Sequence, residues 1–195
     1  MILKGYEDLR VIKTIEAINK AFESLICEKN YDKITVKELC DRAKINKKTF
    51  YKYYETLDFL LAEMQKKLST EYIDRIKQYS LPEELDKVNR EFFIYSSNKG
   101  LAYEKITCSR AYNSIRNDMI SEVNEIGWGK SEQYQKLSDY EKKILMKFIN
   151  NTVLTAYSQW IEDEKKIPLE EVISLTNSIV IGGVKDFFKH CEKNK

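Results

Sequence analysis

Apolar residues recur three and four positions apart along most of this chain, the period of a helix buried on one side. Val11, Ile15, Ile18, Phe22 and Leu25 trace such a stripe after a short polar arm, and predict a first helix. Val36, Leu39, Cys40 and Ala43 trace a second stripe. Thr35 and Glu38 ahead of it form a T-x-x-E capping box, which starts that helix at Val36. The pattern stops at Lys44-Ile45-Asn46. Asn46 is a good N-cap, so a third, short helix is predicted over residues 47–54, with Phe50 and Tyr54 facing inward. Thr56 caps a fourth helix, and Asp58 in its first turn suits the helix dipole. Leu57, Leu60, Leu61, Met64 and Leu68 form its stripe, and it runs on to Tyr79.

Beyond it, Pro82 fits the first position of a helix over residues 82–97, with Leu85, Val88, Phe92 and Tyr95 inward. Asn98-Lys99-Gly100 breaks it. Residues 101–126 hold one or two helices, marked by Tyr112, Ile115, Met119, Val123 and Ile126, and residues 127–138 read as a loop. A long helix over 139–164 has an apolar face wider than one core needs: Leu145, Phe148, Ile149, Thr152, Val153, Ala156, Tyr157 and Trp160. Pro168 opens the last helix, which carries Val172, Thr176, Ile179, Val180, Gly183 and Phe187 and ends near His190. Gly182-Gly183 inside it costs about 1 kcal/mol per residue against alanine, so another helix is expected to come close there. The β-branched run Ile34-Thr35-Val36 is overridden by the capping box. The expected fold class is all-α, with about nine helices.

Composition agrees with a globular helical chain. It has 195 residues, 43% hydrophobic and 33% charged, with two prolines and six glycines, enough for one or two domains and a sizeable core. Charge changes the picture more. Net charge is +2, but residues 29–54 carry eight Lys/Arg against three acids, so this stretch is +5 and the remainder −3. A basic head on a mildly acidic body suggests a polyanion partner for the head alone. Lys47, Lys48, Thr49, Tyr51, Lys52 and Tyr53 point outward from the short helix, which is what a helix-turn-helix recognition helix requires.

Cys27, Cys40, Cys108 and Cys191 have no C-x-x-C spacing and read as free thiols in a reducing compartment. No signal peptide and no apolar run of about 18 residues is present, so a cytoplasmic protein without membrane attachment is expected. His190 and Cys191 are adjacent and cannot both face one site from a helix, so no metal is expected. No glycine-rich phosphate loop, other cofactor motif or nucleophile–base spacing appears, so the expectation is no cofactor and no enzyme. Aromatic residues of the body, Tyr72, Phe92, Phe93, Tyr95, Tyr103, Tyr112, Trp128, Tyr157 and Trp160, are candidates to line an effector pocket, with Phe92, Tyr95, Tyr103, Tyr112, Tyr157 and Trp160 put first and core packing as the plainer alternative for each.

The stretch TVKELCDRAKINKKTFYKYY at residues 35–54 resembles the DNA-binding domain of the TetR family of transcriptional regulators. Thr35, Val36, Leu39, Ala43, Ile45, Thr49, Phe50, Tyr51 and Tyr54 match the family pattern in identity or type, and Asn46 stands where a serine usually caps the recognition helix. Two positions depart. Lys44 replaces the turn glycine and must accept positive φ at some cost, and Leu57 replaces a lysine that clamps a phosphate. The resemblance implies a DNA-binding head over residues 1–55 and an effector-binding and dimerisation body over 56–195. It places Thr35, Lys44, Asn46, Lys47, Lys48, Thr49, Tyr51, Lys52 and Tyr53 at double-stranded DNA. It implies a homodimer whose last two helices pair into a four-helix bundle, with Phe148, Thr152, Thr176, Ile179, Val180, Gly183 and Phe187 in the interface. Two heads would read a palindromic operator at half-sites roughly 34–36 Å apart.

Three functional readings follow. In the first, a repressor is released by an effector bound in the body. In the second, suggested by a likeness of residues 8–14 and 48–54 to one branch of the family, the body docks a protein coregulator. The third is a helical scaffold or enzyme with no DNA role. The basic head counts against the scaffold, and the missing acid/base or metal constellation counts against the enzyme.

Overall fold

Helix caps set most of the element boundaries. In the computed structural model, which describes residues 8–108 and 113–193, the Thr35–Glu38 capping box starts α2 (Val36–Ala43), Asn46 caps α3 (Lys47–Tyr53) and Thr56 caps α4 (Leu57–Ile76). Ahead of them, Asp8 caps α1 (Leu9–Glu28), and a 3-10 turn follows at Tyr31–Lys33. The body continues with α5 (Leu85–Ser97), α6 (Leu101–Cys108), α7 (Asn113–Trp128), α8 (Glu132–Gln135), α9 (Asp139–Glu162) and α10 (Leu169–Lys193). The described residues thus form ten α-helices and no strand, one more helix than the sequence pattern gives.

Several boundaries differ from the sequence expectation, and α4 stops at Ile76, short of Tyr79. Pro82 does not open α5: the Leu81–Pro82 peptide is cis and residues 81–84 form a turn, so the helix begins at Leu85. Residues 127–138 are not one loop. α7 runs through Trp128, whose indole is buried against Phe188, and α8 then starts at a Ser131 cap. Lastly, α10 passes His190 and ends at Lys193. Tyr112 lies outside the described residues.

The side chains bury into two clusters. The head cluster joins Phe22 and Leu25 of α1, Leu39 of α2, Phe50 of α3 and Leu60 and Leu61 of α4. The body cluster centres on Phe93, Trp128, Tyr157 and Phe188, with α9 packed along α10 and α5 against α10. Two elements belong to both regions. α4 enters the head cluster at Leu60 and the body cluster at Ile76. From α6, Ile106 is buried in the head cluster and Ala102 packs on it, while Lys105 donates to the carbonyl of Cys27 at the end of α1.

The close approach implied by Gly183 is made inside the chain. A Cβ placed there would lie 2.8 Å from Cζ of Phe148 on α9, whereas one at Gly182 would meet nothing within 4 Å.

Candidate nucleic-acid interface and interior cavity

The head is built so that its cations stay free. Thr35 Oγ1 accepts from the Glu38 amide at 3.2 Å and Glu38 accepts from the Thr35 amide at 3.3 Å, which closes the start of α2. Arg42 grips Glu28 with both guanidinium nitrogens, one at 2.7 Å, and also donates to Ser24. Lys29 pairs with Glu38 at 2.6 Å. These contacts clasp α1 to α2 and hold the Glu28 and Glu38 carboxyls below the usual carboxylate range, through the bonds from Arg42 and Lys29 respectively. They use up two of the basic residues. Among the described residues no acid lies within ion-pair distance of Lys37, Lys44, Lys47, Lys48 or Lys52, and all five are exposed.

The turn between α2 and α3 adopts the conformation the sequence demanded. Lys44 sits in the left-handed region at φ 55° and ψ 43°. Asn46 Oδ1 then accepts from the Thr49 amide at 2.8 Å and from the Thr49 hydroxyl at 3.0 Å. The Asn46 side-chain NH2 is therefore the part of that cap left to offer a partner. Phe50 and Tyr54 are buried and fix α3 on the head core. Tyr51 stands 54% exposed beside Lys47, Lys48 and Lys52, and Lys52 Nζ lies 5.5 Å from the Tyr53 ring centre. Thr49 and Tyr53 are half-buried and Thr35 is exposed. Leu57 packs against the head core, so the start of α4 presents an apolar side chain there. Asp58 in the same turn accepts from the Tyr31 hydroxyl.

The body holds a pocket of about 140 Å³ between α4, α5, α6, α7 and α9. Phe92 and Tyr103 line it; Tyr95, Tyr157 and Trp160 do not. Tyr95 donates to the Leu68 carbonyl at 2.9 Å, Trp160 donates to the Ile167 carbonyl at 2.9 Å, and Tyr157 packs its ring among Phe92, Phe93 and Trp160. All three are buried. Tyr72 and Trp128, also among the candidate aromatics, line the pocket as well, together with Gln65, which sequence reasoning missed. No charged side chain lines it among the described residues. Burial pushes the Tyr72 and Tyr103 phenols up, so both stay neutral. A wider, charged cleft of about 770 Å³ opens between α1, α4 and α6, and Leu68, Tyr103 and Ile106 line both spaces.

This head on this body is the fold of TetR-type transcriptional regulators. A TetR transcriptional regulator from Streptococcus agalactiae 2603V superposes with a TM-score of 0.64 at 20% identity, over 88% of this chain and 95% of that one. The transcriptional regulator FadR from Bacillus subtilis, in complex with stearoyl-CoA, gives a TM-score of 0.59 at 17% identity, over 85% of this chain and 95% of that one. In sequence, the chain is 36% identical over 96 residues to the uncharacterized HTH-type transcriptional regulator YxbF of Bacillus subtilis (strain 168). That match covers 49% of this chain and spans 23% of the length of YxbF. No protein-family model matches the chain. Among the described residues no helix is long and apolar enough to cross a membrane.

Proposed function

We propose that this protein is a sequence-specific DNA-binding transcriptional regulator, acting as a homodimeric repressor that a small molecule releases from its operator. The observation that carries this reading is the exposed row Lys47, Lys48 and Lys52, which among the described residues pairs with no acid, beside exposed Tyr51 on a seven-residue helix held by Asn46 and Phe50. A helix that short gains nothing by itself; its anchoring leaves one basic, hydrogen-bonding face free to enter a major groove. The lysines supply phosphate contacts that position the head, and Tyr51 and Thr49 face base edges.

The division proposed is a DNA-binding head over residues 1–55 and an effector and dimer body over 56–195. The dimer pairs the outer faces of α9 and α10. Ile144, Phe148, Leu175 and Ile179 are exposed there, and Gly182 leaves room beside them for a partner backbone. The pocket, lined mostly by apolar side chains between helices, favours a small molecule over a protein coregulator as effector. Its signal has a short path to DNA. Tyr103, Ile106 and Thr107 of α6 line the cavity, Ile106 is buried in the head core and Lys105 holds the end of α1. A ligand that moves α6 therefore moves α1, and through it the separation of the two heads. This is a binding protein, and no catalytic step is assigned to it.

The test is charge reversal at α3. Lys47→Glu with Lys48→Glu removes two phosphate contacts and adds two repulsions. Affinity for the DNA upstream of the protein's own gene should fall by at least about a hundredfold in moderate salt, with the far-UV helical signal unchanged. Unchanged affinity in a folded double mutant overturns the assignment.

A further inference from the structure

We infer that Lys165 is a positioning residue for DNA binding: through its ion pair with Glu104 it holds α6, and with α6 the head, at one place on the α9–α10 pair. The inference rests on the dimeric regulator reading above and adds the residue pair that sets the spacing of the two heads.

The turn between α9 and α10 is strained where Lys165 stands. Glu164 at φ 55° and Lys165 at φ 59° both lie in the left-handed region. Glycine takes that conformation without steric cost; two consecutive residues with side chains do not. A helix commonly ends on one left-handed residue, and here a second follows it. The turn is enforced by its own bonds. The Glu164 amide donates to the Ile161 carbonyl at 3.0 Å, the Lys165 amide to the Trp160 carbonyl at 2.8 Å, and the Trp160 indole to the Ile167 carbonyl at 2.9 Å. The side chain that this backbone carries reaches back to α6. Lys165 Nζ lies 5.5 Å from the Trp160 ring centre and 2.6 Å from Glu104 Oε1.

Glu104 is the reason to reach there. It is 7% exposed, and a carboxylate buried that far is costly without a counter-charge. Among the described residues Lys165 is the cation within ion-pair distance of it. An apolar side chain at this position would let α6 pack on α9 with no such requirement. Apolar contact tolerates sliding, whereas a charge-assisted hydrogen bond has a defined place. The neighbours of Glu104 on α6 face the other way. Lys105 donates to the Cys27 carbonyl at the end of α1, Ile106 is buried in the head core and Ala102 packs on it. Consecutive residues of one short helix therefore tie the two regions together, Glu104 to the α9–α10 turn and Lys105 to the head. With the ion pair closed, α6 and the head share one position on the helices that meet the second copy. With it broken, Glu104 is a buried charge without a partner, and α6 must shift to bring it to water.

Head position matters only when two heads bind one duplex, because the second contact is gained only if the geometry fits. The experiment uses the full chain and the duplex that wild type selects from random sequence. Beside it stand a single half-site and the selected duplex with one base pair inserted between its half-sites, which turns one of them by about 35°. Wild type should lose at least about tenfold in affinity on insertion. Lys165→Met strands Glu104, so Glu104→Met with Lys165→Met is made as well, to remove the tie while keeping the packing. In both variants the loss on insertion should shrink to less than about threefold, and affinity for the selected duplex should fall about tenfold. Affinity for the single half-site should stay unchanged, and sedimentation should still show a dimer. Lys165→Arg should keep the wild-type pattern. A paired-Met variant with the wild-type spacing preference overturns the inference. So does an equal loss on half-site and full duplex, a monomeric variant, or Lys165→Arg behaving like Lys165→Met. Wild type that selects no paired half-sites overturns the dimeric regulator reading itself, and the inference with it; the other outcomes leave that reading standing.

Discussion

The outer face of α3 and the outer faces of α9 and α10 are both exposed, for opposite reasons. On α3 the exposed groups are ammonium ions, which water solvates well; a lysine row by itself is usually no more than a wet surface. On α9 and α10 the exposed groups are Phe148, Leu175 at 55% and Ile179 at 59% exposure, apolar surface that water disfavours and that clusters where proteins meet. The apolar face carries an energetic cost of its own when left in water. The basic face acquires meaning only from its framing: a capped helix, a left-handed turn, and Glu28 and Glu38 committed to Arg42 and Lys29. Charge shows function by what surrounds it, and apolar area by being uncovered.

Three substitutions test that contrast. Ile179→Glu should have the largest effect. If α10 meets its copy, each new carboxylate is buried unpaired at about 3–5 kcal/mol, twice in a twofold interface. Sedimentation should then show monomers at micromolar concentration, and DNA affinity should collapse without a change in the head. A dimeric Ile179→Glu protein would make the apolar face as uninformative as an isolated lysine. Lys44→Gly should act next. Relief of the left-handed turn should stabilise the head by about 1 kcal/mol, while loss of the cation should lower the salt slope of DNA binding by about one unit. A stabilised mutant with an unchanged slope places Lys44 off the phosphates. The smallest effect belongs to Gly183→Ala. Alanine favours the helix by about 1 kcal/mol, but its Cβ would lie 2.8 Å from the Phe148 ring, so the change alone should be nearly neutral. Combined with Phe148→Leu, it should show a coupling of about 0.5–1 kcal/mol in a thermal double-mutant cycle. Zero coupling would mean that the ring swings aside freely.

The head was legible because its determinants are local. Thr35 and Glu38, Asn46 and Thr49, and Thr56 each act within three residues of the backbone they cap. Lys44 announced its positive φ by standing where the family turn has glycine. In the body the determinants are far apart in sequence. The burial of Trp128 depends on Phe188, and residues 127–138 looked like a loop because they are polar and glycine-flanked. Ser138 and Glu141 do form a capping box at the start of α9, a signal of the same kind as the one at Thr35. Gln65 escaped because the stripe of α4 was drawn through apolar residues only. Yet Leu61, Gln65, Leu68, Tyr72 and Ile76 follow at helical spacing, and Gln65 takes a buried place in that row. Gly183 foretold a close approach, but a sequence does not say whether the approaching ring belongs to its own chain.

α4 has a consequence for how the molecule comes apart. It is a single 20-residue helix, about 30 Å long, whose first turns complete the head and whose last turn completes the body. Neither core keeps its full set of side chains once this rod frays. Loss of the head strips Leu60 and Leu61 of their neighbours, and loss of the body strips Ile76. The two regions therefore melt as one cooperative unit. The stretch of α4 between them is then expected to open only when the whole chain does, and its amide protons to exchange with the free energy of global unfolding.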